Sequence, residues 1–402
     1  MKILHVVPTF YPAVRYGGPI YAIQALCRAL VEAGHEVHVF TTSVDGAGNS
    51  NVPHDQPVDV DGVQVQYFRS NWLRRIYYSA QLAAQLDTRM SAFDVVHLHS
   101  VFLFPTWAGA RSAARAKIPY VLSPRGMLVR DLIQQRSTAA KRAWIRLIER
   151  ANLAGARRIH LTSEEERRAL VDLGLALAPT TIIPNGVDVP TLCSDNAVSE
   201  DVRALLAEGF DILCFGRINW KKGLDRVIRS VAQIRGASLL IAGNDETGFT
   251  AKLRSIAAEC GVSSRVHFLP RHIAGTDREA LFRAARIFVL PSVSENFGNV
   301  ILEAMIRGLP VVVTERVGAA EIVQASGGGV IVREGQDDLS VVIARLLQSN
   351  EWLAAMGAAG ARYVREQLSW QRVAKLFAAM YSEICRGDLE LGRCTSPALA
   401  LP

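Results

Sequence analysis

Two glutamates stand in a segment whose residue types suit the binding of phosphate and hydroxyl groups. Residues 291–303 read P-S-V-S-E-N-F-G-N-V-I-L-E and follow an apolar run. A helix predicted to begin near Asn299 leaves its first amides unpaired, and Gly298 lets a ligand approach them closely. These amides attract a phosphate, while a carboxylate one turn further on can hold two hydroxyls. A helix N-terminal charge is the ordinary interpretation of either glutamate alone, but Glu295 and Glu303 together favour a ligand site.

Arg217 and Lys222 are candidates for neutralising such an anion. Arg217 follows an apolar run in the sequence F-G-R, and Lys222 lies in K-K-G at the start of the next predicted helix. Arginine offers a planar fork of donors, and lysine offers a point charge. Two solvated surface cations would be the ordinary interpretation, but their position beyond a strand end favours a clamp for a diphosphate.

Gly17 and Gly18 lie between the first apolar run and the first predicted helix, just before Pro19. Glycines there allow close backbone approach, and the free N–H groups of a helix start form an anion site. Phosphate contact and a simple tight turn are equally compatible with so short a motif. The fingerprint G-x-G-x-x-G is absent after this strand, which argues against an NAD or FAD enzyme.

Short apolar runs alternate with longer amphipathic segments along the chain. This alternation predicts βαβ units with parallel strands and right-handed crossovers. The strands are predicted at residues 3–7, 35–41, 94–98, 120–123, 158–162 and 181–183, and then at 211–215, 238–242, 266–269, 287–290, 311–314 and 329–332.

A break in this pattern predicts two domains. Pro184-Asn185-Gly186 ends the first series, and the polar residues 188–199 are typical of a linker. We predict doubly wound domains at residues 1–188 and 200–369, a last amphipathic helix at 370–386, and a loose tail at 387–402. Ligands of open α/β sheets bind beyond the carboxyl ends of the strands, so a cleft between two such domains is the expected site.

Composition excludes several other classes of protein. The 402 residues are 50% hydrophobic and carry a formal charge of +7, which suits anionic ligands, but no nucleic-acid motif accompanies it. The six cysteines form no C-x-x-C pair, as expected of reduced thiols in the cytoplasm. The first residues are typical of a buried strand and not of a signal peptide, and no apolar run reaches the ~20 residues that span a bilayer. Any membrane contact is therefore expected to be peripheral.

The sequence resembles glycosyltransferase family 4, and bacterial exopolysaccharide and O-antigen transferases in particular. The match comprises P-S-x-x-E-x-F-G-x-x-x-L-E-A at 291–304, G-R-x-x-x-x-K-G at 216–223, I-P-N-G-V-D at 183–188, S-P-R-G-M-L at 123–128 and the N-terminal Gly-Gly. The resemblance covers roughly residues 1–386. It implies a GT-B fold, with two Rossmann-like domains facing a cleft and a C-terminal helix crossing back to the first.

The resemblance also implies roles for the candidate residues. Arg217 and Lys222 would hold the leaving diphosphate of a nucleotide-sugar, and Glu295 would hold the hydroxyls of the donor sugar. Glu303 would hold the ribose, and Gly17 and Gly18 would face the diphosphate. The backbone lining the sugar and phosphates would come from Phe297, Gly298, Asn299 and Val300. The anomeric configuration would be retained, with no bound metal or other cofactor.

One position departs from the family pattern. Many relatives carry a histidine where this chain has Arg125 in the loop Pro124-Arg125-Gly126, and that histidine is thought to contact the donor sugar. Arg125 stays protonated near neutral pH and therefore cannot act as a general base. It is expected to stabilise the departing phosphate or to bind an acidic acceptor, two alternatives that the sequence leaves open.

Two groups of residues imitate metal sites. The D-x-D in Asp59-Val60-Asp61-Gly62 precedes a short apolar run, so a hairpin turn is the better interpretation. His97 and His99 place two imidazoles on one strand face, but no third ligand is evident. We predict no metal and expect His99, at the strand end, to face the acceptor.

A basic stretch bears on the acceptor. Nine Arg or Lys and only two acids lie from Arg125 to Arg158, including the amphipathic run 141–153. A solvated face and an anionic membrane surface are equally compatible with it. We expect transfer from a UDP- or GDP-sugar to a polyprenyl-diphosphate-linked saccharide in polysaccharide or lipopolysaccharide assembly. The alternatives are a small soluble acceptor and an inactive GT-B scaffold subunit, which the intact charged residues disfavour.

Overall fold

The computed structural model describes residues 1–13, 17–54, 56–129, 138–190 and 198–387. The chain divides into two compact units, each built on a twisted sheet. The first unit comprises Met1–Gly186 and Trp370–Pro402, and the second comprises Val187–Ser369. The predicted tail lies outside the described residues from position 388 onward, and so does most of the predicted linker, at 191–197.

The first unit contains an eight-stranded sheet in the order β10-β9-β8-β7-β1-β2-β6-β5. The strands are β1 (Lys2–Thr9), β2 (Glu36–Thr42), β5 (Val58–Val60), β6 (Val63–Phe68), β7 (Val95–His99), β8 (Tyr120–Ser123), β9 (Arg158–Leu161) and β10 (Thr180–Ile182), and β3 (Val44–Asp45) pairs separately with β4 (Gly48–Asn49). The helices from the first part of the chain are α1 (Gly18–Glu32), α2 (Ala80–Arg89), α3 (Phe104–Ala116), α4 (Thr138–Trp144), α5 (Arg150–Gly155) and α6 (Glu164–Val171). Only β5 runs antiparallel to its neighbour within this described sheet.

The second unit contains a six-stranded parallel sheet in the order β13-β12-β11-β14-β15-β16. Its strands are β11 (Ile212–Phe215), β12 (Leu239–Ala242), β13 (Val266–Leu269), β14 (Ile287–Leu290), β15 (Val311–Thr314) and β16 (Gly329–Val332). Its helices are α7 (Glu200–Glu208), α8 (Leu224–Gln233), α9 (Phe249–Glu259), α10 (Gly275–Ala284), α11 (Asn299–Ile306), α12 (Ala320–Ser326), α13 (Leu339–Leu347) and α14 (Asn350–Gln367).

The chain then returns to the first unit through α15 (Trp370–Arg386), which packs against α1. Burial on both faces of each sheet explains the continuous apolar strands. Along β1, Ile3 and Val7 pack in the cluster that contains α1 and α15, whereas Leu4 and Val6 pack in the cluster that contains α2 and α3. The predicted doubly wound architecture is therefore confirmed for both units.

Local details follow the sequence in some places and depart from it in others. The hairpin predicted at the D-x-D is confirmed: β5 and β6 pair antiparallel, and Asp59 accepts hydrogen bonds from the Gly62 amide (3.0 Å) and the Gln64 side chain (2.9 Å). The amphipathic run in the basic stretch is not one regular helix, because a π-helical segment, Ile145–Glu149, joins α4 to α5. Over the described part of the chain, no helix is both long and apolar enough to cross a bilayer.

Candidate functional site

The loop carrying Glu295 is held in place by the segment that follows β15. The Glu295 amide donates to the Arg316 carbonyl (3.1 Å), and the Gly318 amide donates to the Glu295 carbonyl (3.0 Å). The Ala319 amide bonds the Phe297 carbonyl in the same way (2.9 Å). Three backbone hydrogen bonds thus fix a loop that follows the carboxyl end of β14, which is where ligands of parallel sheets bind.

Lys222 reaches this loop and forms an ion pair with Glu295. The short helical turn Trp220–Lys222 is tied to the loop by the Val293 amide, which donates to the Lys221 carbonyl (2.8 Å). Gly223 has φ +64° and lies so close to the loop that a Cβ there would stand 2.2 Å from the Pro291 carbonyl oxygen. Only glycine fits this contact, and it brings Lys222 to Glu295.

The helix after the loop begins where the sequence predicts. Gly298 is the N-cap of α11 with φ +88°, and Asn299 and Val300 form the first turn. Phe297 is buried in the core beneath them. The first amides of α11 therefore point out of the same loop that carries Glu295, and they supply the positive end of a helix dipole.

Glu303 has a partner that the sequence analysis missed. Arg278, on α10, forms an ion pair with Glu303, and its guanidinium lies over the rings of Phe282 (5.8 Å) and Phe215 (5.9 Å). Arg307 donates to the Glu303 carbonyl (2.6 Å). Twenty-five positions separate Arg278 from Glu303, and no local motif signals the pair.

Arg217 follows β11 and is exposed. Among the residues that the structure describes, no carboxylate forms an ion pair with it. The second unit thus brings Lys222, Glu295 and the α11 amides together and leaves the Arg217 guanidinium available to a ligand.

The glycines of the first unit lie at a helix start, as predicted. Gly17 has φ +75° and is the N-cap of α1, which begins at Gly18 and has proline in its first turn. Tyr16, just before them, lies outside the described residues. The α1 amides follow the carboxyl end of β1, so the geometry suits an anion there as well.

Arg125 and His99 lie in contact at the carboxyl ends of β7 and β8. The Arg125 backbone has φ +55°, and its guanidinium donates to the Asn185 side-chain oxygen (3.2 Å) and to His99 Nδ1 (3.3 Å). Asn185, from the I-P-N-G-V-D motif, is a site residue that the sequence analysis missed. The motif was recognised, but its contact with Arg125 joins two loops far apart in the chain.

His97 and His160 belong to a buried hydrogen-bonded chain whose protons can be assigned from its end. His160 Nε2 donates to the Ile183 carbonyl (2.8 Å), so His160 Nδ1 accepts from the Ser123 hydroxyl (2.7 Å). Ser123 in turn accepts from His97 Nε2 (2.6 Å), which leaves His97 Nδ1 to accept from the Tyr381 hydroxyl (2.7 Å). A single neutral tautomer of each histidine therefore satisfies the whole chain.

A second chain runs through His99 and His5. Arginine only donates, so His99 Nδ1 accepts from Arg125, and His99 Nε2 must donate to His5 Nδ1 (2.9 Å). His5 therefore carries its proton on Nε2, a buried atom with no hydrogen-bond partner among the described residues. Burial lowers the pKa of His5 and of His160 to about 3, and it holds the pKa of His97 and of His99 well below the ordinary value, with Arg125 adding to the effect.

The third imidazole corrects one step of the sequence analysis. His5 pairs with His97 across β1 and β7, and the ligand atoms of His5, His97 and His99 lie within 4.8 Å of one another. Zinc prefers such nitrogen ligands. Here, however, hydrogen bonds occupy both nitrogens of His97 and of His99, and the Arg125 cation contacts the cluster. The donor set therefore fits a network of neutral histidines better than a metal site.

Comparison with known proteins identifies the class. A family model described as a glycosyl transferase 4-like domain matches residues 17–186, and one described as glycosyl transferases group 1 matches residues 209–349. The structure of Anabaena HepE in complex with UDP-glucose superposes with a TM-score of 0.72 over 95% of this chain and 100% of that one, at 20% identity. The fold is that of the GT-B glycosyltransferases. The chain belongs to glycosyltransferase family 4.

Two relatives are similar in sequence. The D-inositol 3-phosphate glycosyltransferase of Paenarthrobacter aurescens is 27% identical over 96% of this chain and 98% of its own length. The GDP-mannose-dependent alpha-(1-6)-phosphatidylinositol monomannoside mannosyltransferase of Mycobacterium tuberculosis is 31% identical over 51% of this chain. That alignment spans about half of the relative, 55% of its length.

Proposed function

We propose that the protein transfers a hexosyl-type sugar from a UDP- or GDP-sugar to a lipid-linked saccharide acceptor. The observation that carries this proposal is the contact of Lys222 with Glu295 beside the α11 amides. It joins a cation for a phosphate, a carboxylate for sugar hydroxyls and a helix N-terminus in one loop system. The relatives named for GDP-mannose and the neighbour bound to UDP-glucose support a nucleotide-sugar donor.

The proposed mechanism retains the anomeric configuration and uses no metal. The bond from the sugar's anomeric carbon to the diphosphate oxygen breaks, and the acceptor hydroxyl forms a new bond to that carbon on the same face. The hydroxyl proton passes to the leaving phosphate. Charge developing on that phosphate is stabilised by Arg217, Lys222 and the helix amides. Glu295 orients the sugar hydroxyls, and Glu303 the ribose.

An open groove in the first unit, away from the strand ends that carry the candidate site residues, supports contact with an anionic membrane surface. The groove, of about 570 Å³, lies at the amino-terminal edge of the sheet, where β8 begins. Trp107, Leu147 and Ile384 give it apolar walls. Basic side chains also line it: Arg111, Lys117 and Arg157. We propose that cell-surface polysaccharide or lipopolysaccharide assembly is the setting, with the protein peripheral on the cytoplasmic face of the membrane.

A small soluble phosphorylated acceptor is the second candidate. Several relatives aligned over nearly the whole chain are named for D-inositol 3-phosphate, whereas the relative named for a phosphatidylinositol mannoside aligns over about half. An acceptor of this kind needs no membrane contact.

A donor screen tests the proposal. The purified chain is incubated with UDP- and GDP-hexoses, with or without a membrane extract as acceptor source, and in EDTA or Mg²⁺. We expect one donor to be consumed faster with extract, and most of the activity to persist in EDTA. Labelled sugar in the organic phase supports the lipid acceptor, and label transferred to inositol phosphate supports the soluble one. A chain that turns over no donor under any condition is a scaffold, and the proposal is then wrong.

A further inference from the structure

We infer that Arg125 forms, in the first unit, a binding site for a substrate oxyanion, a phosphate or carboxylate group. The inference rests on the proposed function and deepens it, because it assigns a role to the position where this chain departs from its family. It stands on the contacts of the guanidinium.

The Arg125 guanidinium is held by neutral groups alone. Two of its N–H groups donate to the Asn185 oxygen and to His99 Nδ1, and Nε is buried with no hydrogen-bond partner in the described part of the chain. Across the described ranges of the chain, no carboxylate lies within ion-pair distance of Arg125. A cation that is partly withdrawn from water and has no ion-pair partner is stabilised when an anion binds it.

Glu166 is a nearby acid whose negative charge stabilises the Arg125 cation, but its oxygens already accept hydrogen bonds from other groups. One oxygen accepts from the Gly126 amide (2.6 Å), and the other accepts from the amide and hydroxyl of Thr162 (both 2.8 Å). Glu166 therefore fixes the loop that carries Arg125, and its oxygens point at other donors.

The surrounding histidines cannot serve as the counter-ion. His99 and His5 are neutral, and the direction of their hydrogen bonds leaves an N–H donor, His5 Nε2, without an acceptor. The unpartnered atoms of this cluster, Arg125 Nε and His5 Nε2, are both donors. A cluster with spare donors and one positive charge selects an anion and excludes a metal cation.

A stability measurement with pyrophosphate as the probe tests the site without any activity. The parent is the Lys222→Ala variant, which removes a phosphate contact from the second unit. Its melting temperature is measured in pyrophosphate and in chloride at equal ionic strength. We expect pyrophosphate to raise the melting temperature of this parent, because a ligand that binds only the folded state stabilises it.

Two further substitutions in that parent separate binding from structure. Arg125→Met should abolish the pyrophosphate effect while leaving the melting temperature in chloride unchanged or higher, because it removes a partly buried cation that forms no ion pair with a described carboxylate. Arg125→Lys should keep part of the effect. An equal loss of stability by Arg125→Met in both salts would make the arginine purely structural. That result, or no response of the parent to pyrophosphate, overturns the inference.

Kinetics of Arg125→Met, with Lys222 intact, distinguish the source of the anion. In donor hydrolysis, a KM for the nucleotide-sugar that rises about tenfold corresponds to about 1.4 kcal/mol of lost binding free energy. This result assigns the anion to the donor diphosphate. A similar rise confined to the KM of the acceptor assigns it to the acceptor. If Arg125→Met raises neither KM, the inference is overturned. A wild type that turns over no donor overturns the proposed function instead, and the pyrophosphate result can still be interpreted.

Discussion

Lys222 and Glu295 neutralise each other in the structure. Each side chain is mostly buried, at 15% and 23% exposed, so water screens the pair only in part. A donor diphosphate offers Lys222 a stronger anion, and sugar hydroxyls offer Glu295 new donors. Donor binding therefore exchanges one set of partners for another, and neither Lys222 nor Glu295 carries an unpaired charge before that exchange.

At the residue scale, Lys222→Ala and Arg217→Ala should each lower kcat strongly. Removing one donor to a developing oxyanion typically costs ~2.7–4 kcal/mol, or about 10²–10³ in rate. Initial rates of sugar transfer measure the loss, and melting curves check that the fold is intact. Arg229→Ala, an exposed arginine on α8, serves as the matched control and should retain wild-type rates. Turnover within a few-fold of wild type in both test variants would remove these residues from the mechanism.

Sequence reasoning located the charged residues whose neighbours are local. Glu295 and the start of α11 are fixed by one loop and its glycine, so the motif alone indicates their geometry. Arg278, Asn185 and His5 were missed because their partners lie across the fold. The contact of His5 with its partners depends on which strands are adjacent and in what register, and neither property is encoded in a short window.

At the element scale, the basic helical segment is anchored by the acid within it. Glu149 is fully buried and accepts hydrogen bonds from the Phe102 amide (2.6 Å), Trp144 Nε1 (2.9 Å) and Asn152 Nδ2 (3.1 Å). Hydrophobic periodicity predicts where such a segment lies. The π-helical turn at Ile145–Glu149 escapes that pattern, because the anchoring of Glu149 by three donors is a tertiary contact.

This anchored segment presents basic side chains and an apolar one to solvent. Arg142, Arg146 and Arg150 are exposed, and Leu147 is 77% exposed. We predict that the first unit docks at the membrane through residues 136–150 of the basic stretch, of which residues 136 and 137 lie outside the described residues. An exposed leucine among arginines suits an anionic lipid surface, where each basic residue contributes ~1 kcal/mol.

Vesicle co-sedimentation tests that surface. The wild type should bind vesicles containing phosphatidylglycerol and dissociate at high salt, since the Debye length falls from ~10 Å at 0.1 M to ~3 Å at 1 M. Glutamate at positions 142, 146 and 150 should abolish binding. Glutamate at the exposed positions Arg229, Arg235 and Lys252 of the second unit changes the net charge equally and should not. A wild type that ignores anionic vesicles at low salt would favour the soluble acceptor.

At the scale of the whole molecule, the buried histidines make stability depend on pH. In the unfolded chain each histidine binds a proton below pH ~6.5, whereas His5 and His160 stay neutral in the fold down to pH about 3. Between these pH values the unfolded state therefore binds protons that the folded state does not bind. Their contribution to stability is complete above pH ~6.5 and is lost as the pH falls from there toward the folded pKa values. Glu149 opposes this trend, because burial raises its pKa.

We expect the free energy of unfolding to fall between pH 6.5 and 5, by up to ~1.4 kcal/mol per pH unit for each buried histidine. Urea unfolding at several pH values measures the slope. His5→Gln should reduce the slope by about one histidine's share, since it removes one group that binds a proton in the unfolded chain but stays neutral in the fold. His272→Gln, at an exposed position, should leave it unchanged. A flat profile across this range would contradict the neutral assignment.

The two units were foreseeable from the alternation of strands and helices, and the return of α15 was expected from the family resemblance. The division falls at Gly186 and Trp370, where the chain leaves and re-enters the first unit. The polar contact that α15 makes with the sheet was not foreseeable from the sequence. Its Tyr381 hydroxyl donates to His97 in the centre of the sheet, and this hydrogen bond exists only in the folded core.

That return of the chain has a consequence for its synthesis. The residues of α15 leave the ribosome after the entire second unit, yet they cover α1 and supply the proton that His97 accepts. The unit that is translated first is therefore completed last. Its apolar face at α1 stays uncovered while about 180 residues of the second unit are synthesised. We expect a nascent chain interrupted before Trp370 to expose that face to chaperones and proteases.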